Sequence, residues 1–162
     1  MSTIPTGAYA SSEDVPAYIG FLKGHLAVLP AFVNGLSGDL LLERPAPDKW
    51  SRKEILGHLV DSALNNLIRF TRAPLSAPPY QMLGYPQVEL VQINHYQEVP
   101  IGHLLTLWEG LNRQILLVVE ELGAEQLALP VQRADGATFT LGWLFSDYVA
   151  HLEHHLAQIY KR

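Results

Sequence analysis

The chain has 162 residues, of which 48% are hydrophobic and 17% charged, which is enough for one domain with a sizeable core and excludes disorder as its dominant state. A formal charge of -5 excludes a general nucleic-acid binder, which needs a basic face to meet phosphates. Seven His stand against no Cys, so disulfides, thiolate metal sites and a Cys nucleophile are excluded and any metal chemistry runs on imidazole and carboxylate. The opening residues Met1 to Asp14 lack the basic and apolar regions of a signal peptide. Apolar runs such as Ile115 to Val119 fall short of the roughly 20 residues that span a membrane. The expectation is a cytoplasmic protein without a membrane partner, a single domain over residues 1–162 with a short flexible N-terminus at about 1–11.

In chain order, the spacing predicts a first helix from about Glu13 to Gly35, capped by Ser11 or Ser12, with Tyr18, Leu22, Leu26, Leu29 and Val33 on one face. Pro30 should kink or shorten it. A Pro-punctuated loop, Gly38 to Trp50, follows. Ser51 and Glu54 then form a capping box, with Trp50 placed as a hydrophobic staple, and a second helix runs to about Arg72. Residues 73–99 carry Pro74, Pro78, Pro79 and Pro86 and enclose a short helix at about Pro86 to Tyr96; this connection is long enough for a crossover or a lid. A third long helix begins near Pro100 and stops at Gly123. Asp135-Gly136 marks a small hairpin, and the last helix starts near Thr140. The predicted fold is all-α, a four-helix bundle with a long crossover between the second and third main helices.

On the last helix Leu141, Phe145, Tyr148, Leu152, Leu156 and Ile159 share a face, and His151 and His155, four residues apart, project together on its flank. Two such imidazoles can turn to one metal ion, while His154 points towards solvent. A stable site needs a further ligand, and the remaining histidines are His25, His58, His95 and His103. His25 reads as a core or boundary residue, and His95 and His103 as surface residues. His58 shares a polar stripe with Asp61, Ser62, Asn65 and Arg69 that is either a solvated face or the wall of a cleft.

Three segments together narrow the choice. They are Pro47-Asp48-Lys49-Trp50-Ser51-x-Lys53-Glu54-Ile55-x-Gly57-His58-Leu59-x-Asp61-Ser62, the stretch from Leu107-Trp108 to Asn112, and Thr140-Leu141-x-Trp143-Leu144 leading to Asp147-Tyr148-Val149-x-His151-x-x-His154-His155-Leu156-x-Gln158-Ile159. This set resembles the DinB/YfiT-like superfamily over most of the chain, from about residue 14 to 160. The resemblance implies a bundle in which three His, by position His58, His151 and His155, hold one divalent transition metal. Imidazoles suit Zn, Ni, Fe or Co alike. It also implies a homodimer, and an enzyme that acts on a small-molecule substrate with a low-molecular-weight thiol, a thiol-dependent S-transferase-like activity on electrophiles. The missing Cys requires the sulfur to arrive with that cosubstrate. A metal-dependent hydrolase at the same three His is the nearest alternative, and a non-catalytic metal- or ligand-binding stress-response bundle is the next. Asp61 and Asp147, each within a turn of a ligand, could orient a ring through its other nitrogen or be solvated carboxylates. Asn65, Arg69, Tyr96 and Asn112 are candidates to line the cleft. No residue is singled out as the catalytic acid or base.

Overall fold

A computed structural model of the chain describes residues 9–161. Four long helices dominate it: α1 (Val15–Asn34), α3 (Arg52–Arg72), α5 (Ile101–Glu121) and α7 (Leu141–Tyr160). Between them lie short helices α2 (Gly38–Leu42), α4 (Gln87–Ile93) and α6 (Ala124–Leu127), and strands β1 (Tyr80–Met82), β2 (Pro130–Arg133) and β3 (Thr138–Thr140). Both α1 and α3 pack on α5 and α7, which places α1 and α3 at opposite corners of the bundle. The expected all-α four-helix architecture stands, with the crossover running from α3 to α5.

The helix boundaries follow local chemistry. Ser51 Oγ accepts from the Glu54 amide at 3.1 Å and Glu54 Oε2 accepts from the Ser51 amide at 2.9 Å, completing the capping box. Arg44 pairs with the same carboxylate and, outweighing burial, holds it below the usual carboxylate range. Asp14, rather than Ser11 or Ser12, caps α1 by accepting from the Ala17 amide at 3.2 Å. Pro30 lies inside α1, which runs on to Asn34 before Gly35 ends it. Among the described residues α1 is also the one helix long and apolar enough, by composition, to cross a membrane. Its mean hydropathy over the best window is 1.3, a reach not anticipated from the short uninterrupted apolar runs. Its Leu22, Leu26, Leu29 and Val33 are buried in the bundle.

The Asp135-Gly136 turn closes the β2–β3 hairpin, with Gly136 at φ 87°, a conformation that suits glycine. A parallel strand pair was not expected: β1, from the crossover, lies beside β2 with Tyr80 opposite Val131. That pairing ties the crossover to the connection before α7. The predicted flexible N-terminus falls mostly outside the described residues. Of its described part, Tyr9 and Ala10 direct their amides at Asp147 Oδ1, at 2.5 and 2.9 Å.

The polar stripe of α3 is not solvated. Of its residues His58, Asp61, Ser62 and Arg69 are buried and Asn65 is half-buried, while the apolar Leu64 and Ile68 are exposed. The apolar Leu56, Leu59 and Ala63 are buried as well, so the helix crosses the bundle interior with most of its circumference covered, and its polar side chains find partners there. Gly57 permits the close packing: a Cβ there would fall inside the Tyr96 ring.

Candidate metal centre

Helices α3 and α7 bring His58, His151 and His155 together, with one nitrogen from each lying within 4.8 Å of the others. His58 Nε2 stands 3.2 Å from His151 Nε2. The three ring centroids are 4.6 to 5.1 Å apart. His58 is fully buried and His155 nearly so, while His151 is partly open. His154 is exposed on the outside of α7, as the helical spacing predicts.

The centre is a concentration of neutral imidazole. Burial, reinforced by neighbouring histidines, pushes each of the three rings down to about 3. They are therefore unprotonated at neutral pH, the form in which imidazole ligates metals. His155 Nε2 is buried without a hydrogen-bond partner among the described residues, a state that costs about 1–3 kcal/mol if nothing satisfies it. Two nitrogens held by one ion at about 2.0–2.1 Å stand roughly 3.3 Å apart in a tetrahedral site. The 3.2 Å separation fits that requirement, and so does the all-imidazole donor set.

The rings are oriented by neutral groups. Ser62 Oγ lies 3.5 Å from His151 Nδ1, and Gln158 Nε2 lies 3.5 Å from His155 Nδ1. The Ser62 hydroxyl can accept from His151 Nδ1, which leaves His151 Nε2 unprotonated and inward, whereas the Gln158 amide nitrogen donates to His155 Nδ1 and so places the proton of that neutral ring on Nε2. His58 Nδ1, on the opposite edge of its ring, is buried without a hydrogen-bond partner among the described residues. Trp50 lies against that ring with centroids 5.0 Å apart, and Tyr9 meets His151 edge-on at the same distance. Sequence reasoning had Ser62 on the right stripe without a role and missed Gln158, although it lies one turn beyond His155. Nothing in the sequence marked Tyr9, which reaches the site from the other end of the chain.

The two carboxylates proposed to orient the rings have other partners. Asp61 Oδ1 accepts from Tyr96 Oη at 2.7 Å and from Asn94 Nδ2 at 3.3 Å. Asp147 accepts the Tyr9 and Ala10 amides. Burial raises both carboxyl pKa values despite these bonds. Neither is a solvated surface carboxylate, and no carboxylate hydrogen-bonds to any of the three rings among the described residues. Asn112 is fully buried and accepts from Tyr148 Oη at 2.5 Å, so it belongs to the core beneath the site. Tyr96 is committed to Asp61, and Asn65 donates to the Asp61 carbonyl at 2.8 Å. His25 sits at the bundle boundary, 3.0 Å from Glu153, and His95 and His103 are exposed.

Comparison with known proteins places this arrangement. The Halalkalibacterium halodurans protein named "Putative metal-dependent hydrolase BH0277" is 28% identical over 138 residues, covering 83% of this chain and 80% of that protein. YfiT from Bacillus subtilis, described as having "an unusual four-helix bundle topology", superposes with a TM-score of 0.84 at 22% identity, covering 96% of this chain and 91% of that one. A mycothiol-dependent maleylpyruvate isomerase shares the fold more distantly, with a TM-score of 0.65 at 13% identity, over 93% of this chain and 62% of its own. The family model of the DinB superfamily matches residues 22–159, and the chain belongs to that superfamily.

Proposed function

We propose that the chain is a metal-dependent enzyme in which His58, His151 and His155 hold one divalent transition ion (Zn, Ni, Fe or Co) and a low-molecular-weight thiol supplies the nucleophile for attack on a small electrophile. The observation that carries the reading is the composition of the centre: three neutral imidazoles converge, and among the described residues no carboxylate hydrogen-bonds to them. A divalent ion there supplies Lewis acidity, lowering the pKa of a thiol that reaches it. The chain's own groups do the rest. Burial keeps the rings uncharged, Ser62 leaves His151 Nε2 facing inward, and the Trp50 and Tyr9 rings lie against His58 and His151. With no Cys in the chain, the sulfur must come from the cosubstrate. The mycothiol dependence stated for the distant fold neighbour supports testing thiols first.

Hydrolysis is the second reading, favoured by the name of the Halalkalibacterium halodurans relative. Water then takes the place of the thiol at the same three His. The proposal also carries a cytoplasmic setting and a homodimer, for which exposed Phe21 and Val28 on α1 offer apolar surface. The test is an assay of metal-loaded, untagged protein on small electrophiles with and without a panel of thiols. Thiol-dependent turnover is expected. Thiol-independent ester or amide cleavage would replace the transferase with the hydrolase, and absence of turnover in every arm would reduce the chain to a binding module.

A further inference from the structure

Arg69 is a buried cation without a carboxylate. It lies on the same stripe of α3 as His58 and Ser62, is 9% exposed, and makes no salt bridge among the described residues. Its partners are neutral: Nη1 donates to Asn66 Oδ1 at 3.1 Å and Nη2 to the Leu83 carbonyl at 2.7 Å. The guanidinium also stands over the Tyr85 ring, 5.6 Å from its centroid. The last turn of α3 contributes partial negative charge, which steadies the cation without neutralising it. Lys53, the other buried cation, lies at the far end of the same helix and donates to the Gln97 carbonyl.

Position gives the unpaired charge its meaning. The Tyr85 ring lies under the Arg69 guanidinium, and its phenol is close enough to Ser62 for that hydroxyl to lower its pKa against the rise from burial. Ser62 in turn touches His151 Nδ1. Arg69 is thus separated from the imidazole centre by one tyrosine side chain and one serine. Leaving a guanidinium buried without a full counter-charge is costly, and its planar fork matches oxyanions bidentately, the carboxylate being the smallest of those that organic molecules carry.

We propose that Arg69, held by Asn66 and stacked on Tyr85, is a carboxylate-binding subsite of the His58–His151–His155 centre, so that a molecule reacting there carries an anionic carboxylate. This rests on the reading of the three His as the reacting centre. The carboxylate can belong to the thiol or to the electrophile, and the recognition chemistry is the same.

The experiment uses two matched pairs of probes, N-acetylcysteine with its amide and chloroacetate with chloroacetamide. Each is titrated into metal-free full-length protein while the arginine side-chain Nε–H resonances are followed by NMR. The acid of at least one pair should bind about ten-fold or more tightly than its amide, shifting the Arg69 resonance. The pair that discriminates identifies the carboxylate's source. In Arg69→Gln the preference should disappear; if that variant does not fold, the wild-type resonance shift still decides the matter. Equal binding of acid and amide in both pairs, no binding of either acid, or a preference that leaves Arg69 unmoved overturns the subsite. Carboxylate preference at Arg69 with no thiol-dependent turnover of the metal-loaded protein would retire the transferase reading and keep the subsite. Turnover without the preference would do the reverse.

Discussion

Metal-free protein should lose stability steeply in mild acid, and the three buried rings set how steeply. In the folded chain His58, His151 and His155 stay neutral down to about 3. In the unfolded chain each titrates near about 6.5. The unfolded state therefore binds more protons throughout that window. Unfolding free energy is fully retained above the upper value and falls as pH drops towards the lower one. Each ring contributes a slope of about 1.36 kcal/mol per pH unit, so the three together approach about 4 kcal/mol per unit. Between about pH 6.5 and 5 the loss reaches roughly 6 kcal/mol as an upper figure, comparable with the whole stability of about 5–15 kcal/mol of a typical domain. Asp61 and Asp147, with raised carboxyl pKa values, act in the opposite sense, but mainly closer to the carboxylate range. Urea titrations of chelator-treated protein across about pH 7 to 5 measure the slope directly. His58→Gln should reduce it by about one third. A midpoint that does not move over this range would mean that the folded rings already take up protons, and the dry, neutral centre would be wrong.

Other consequences concern packing and hydrogen bonding around the site. Gly57→Ala gains about 1 kcal/mol of helix propensity but drives a methyl into the Tyr96 ring and disturbs its bond to Asp61. A net loss of about 2–4 kcal/mol in urea unfolding is expected, and a neutral or stabilised variant would show that Tyr96 yields freely. Tyr148→Phe strands the buried Asn112 Oδ1 and should cost about 1–3 kcal/mol by the same measurement, without altering metal content. Asp147→Ala removes the acceptor of the Tyr9 and Ala10 amides, so amide exchange at those two positions should accelerate while α7 stays protected. Unchanged exchange would show that other contacts hold the segment.

The parts of the fold legible in the sequence are those encoded by local contacts. Ser51 and Glu54 lie three residues apart and cap their own helix, and Asp135-Gly136 closes its own hairpin, so neither needs knowledge of the rest of the chain. His151 and His155 share a helix face for the same reason, whereas His58 entered only through the resemblance to a family. Its stripe on α3 carries polar residues, and a polar stripe ordinarily faces water. Only tertiary packing, with Leu64 and Ile68 outside and Ser62, Asn66 and Arg69 inside, reverses that expectation. Nearness in sequence left Asp61 and Asp147 as either partners of the rings or solvated carboxylates. Tyr96 and Asn94 from the crossover hold one of them, and the amides of Tyr9 and Ala10 the other. The β1–β2 pair was invisible because three-residue strands carry too little periodicity and their partner lies some fifty residues away.

Metal analysis of untagged protein, joined to X-ray absorption at the edge of the metal found, tests the three-histidine centre most directly. About one divalent ion per chain with imidazole nitrogens at roughly 2.0–2.1 Å is expected, lost in His58→Ala and His155→Ala and kept in His154→Ala. Full metal retention in His155→Ala, or loss in His154→Ala as complete as in His58→Ala, would contradict it.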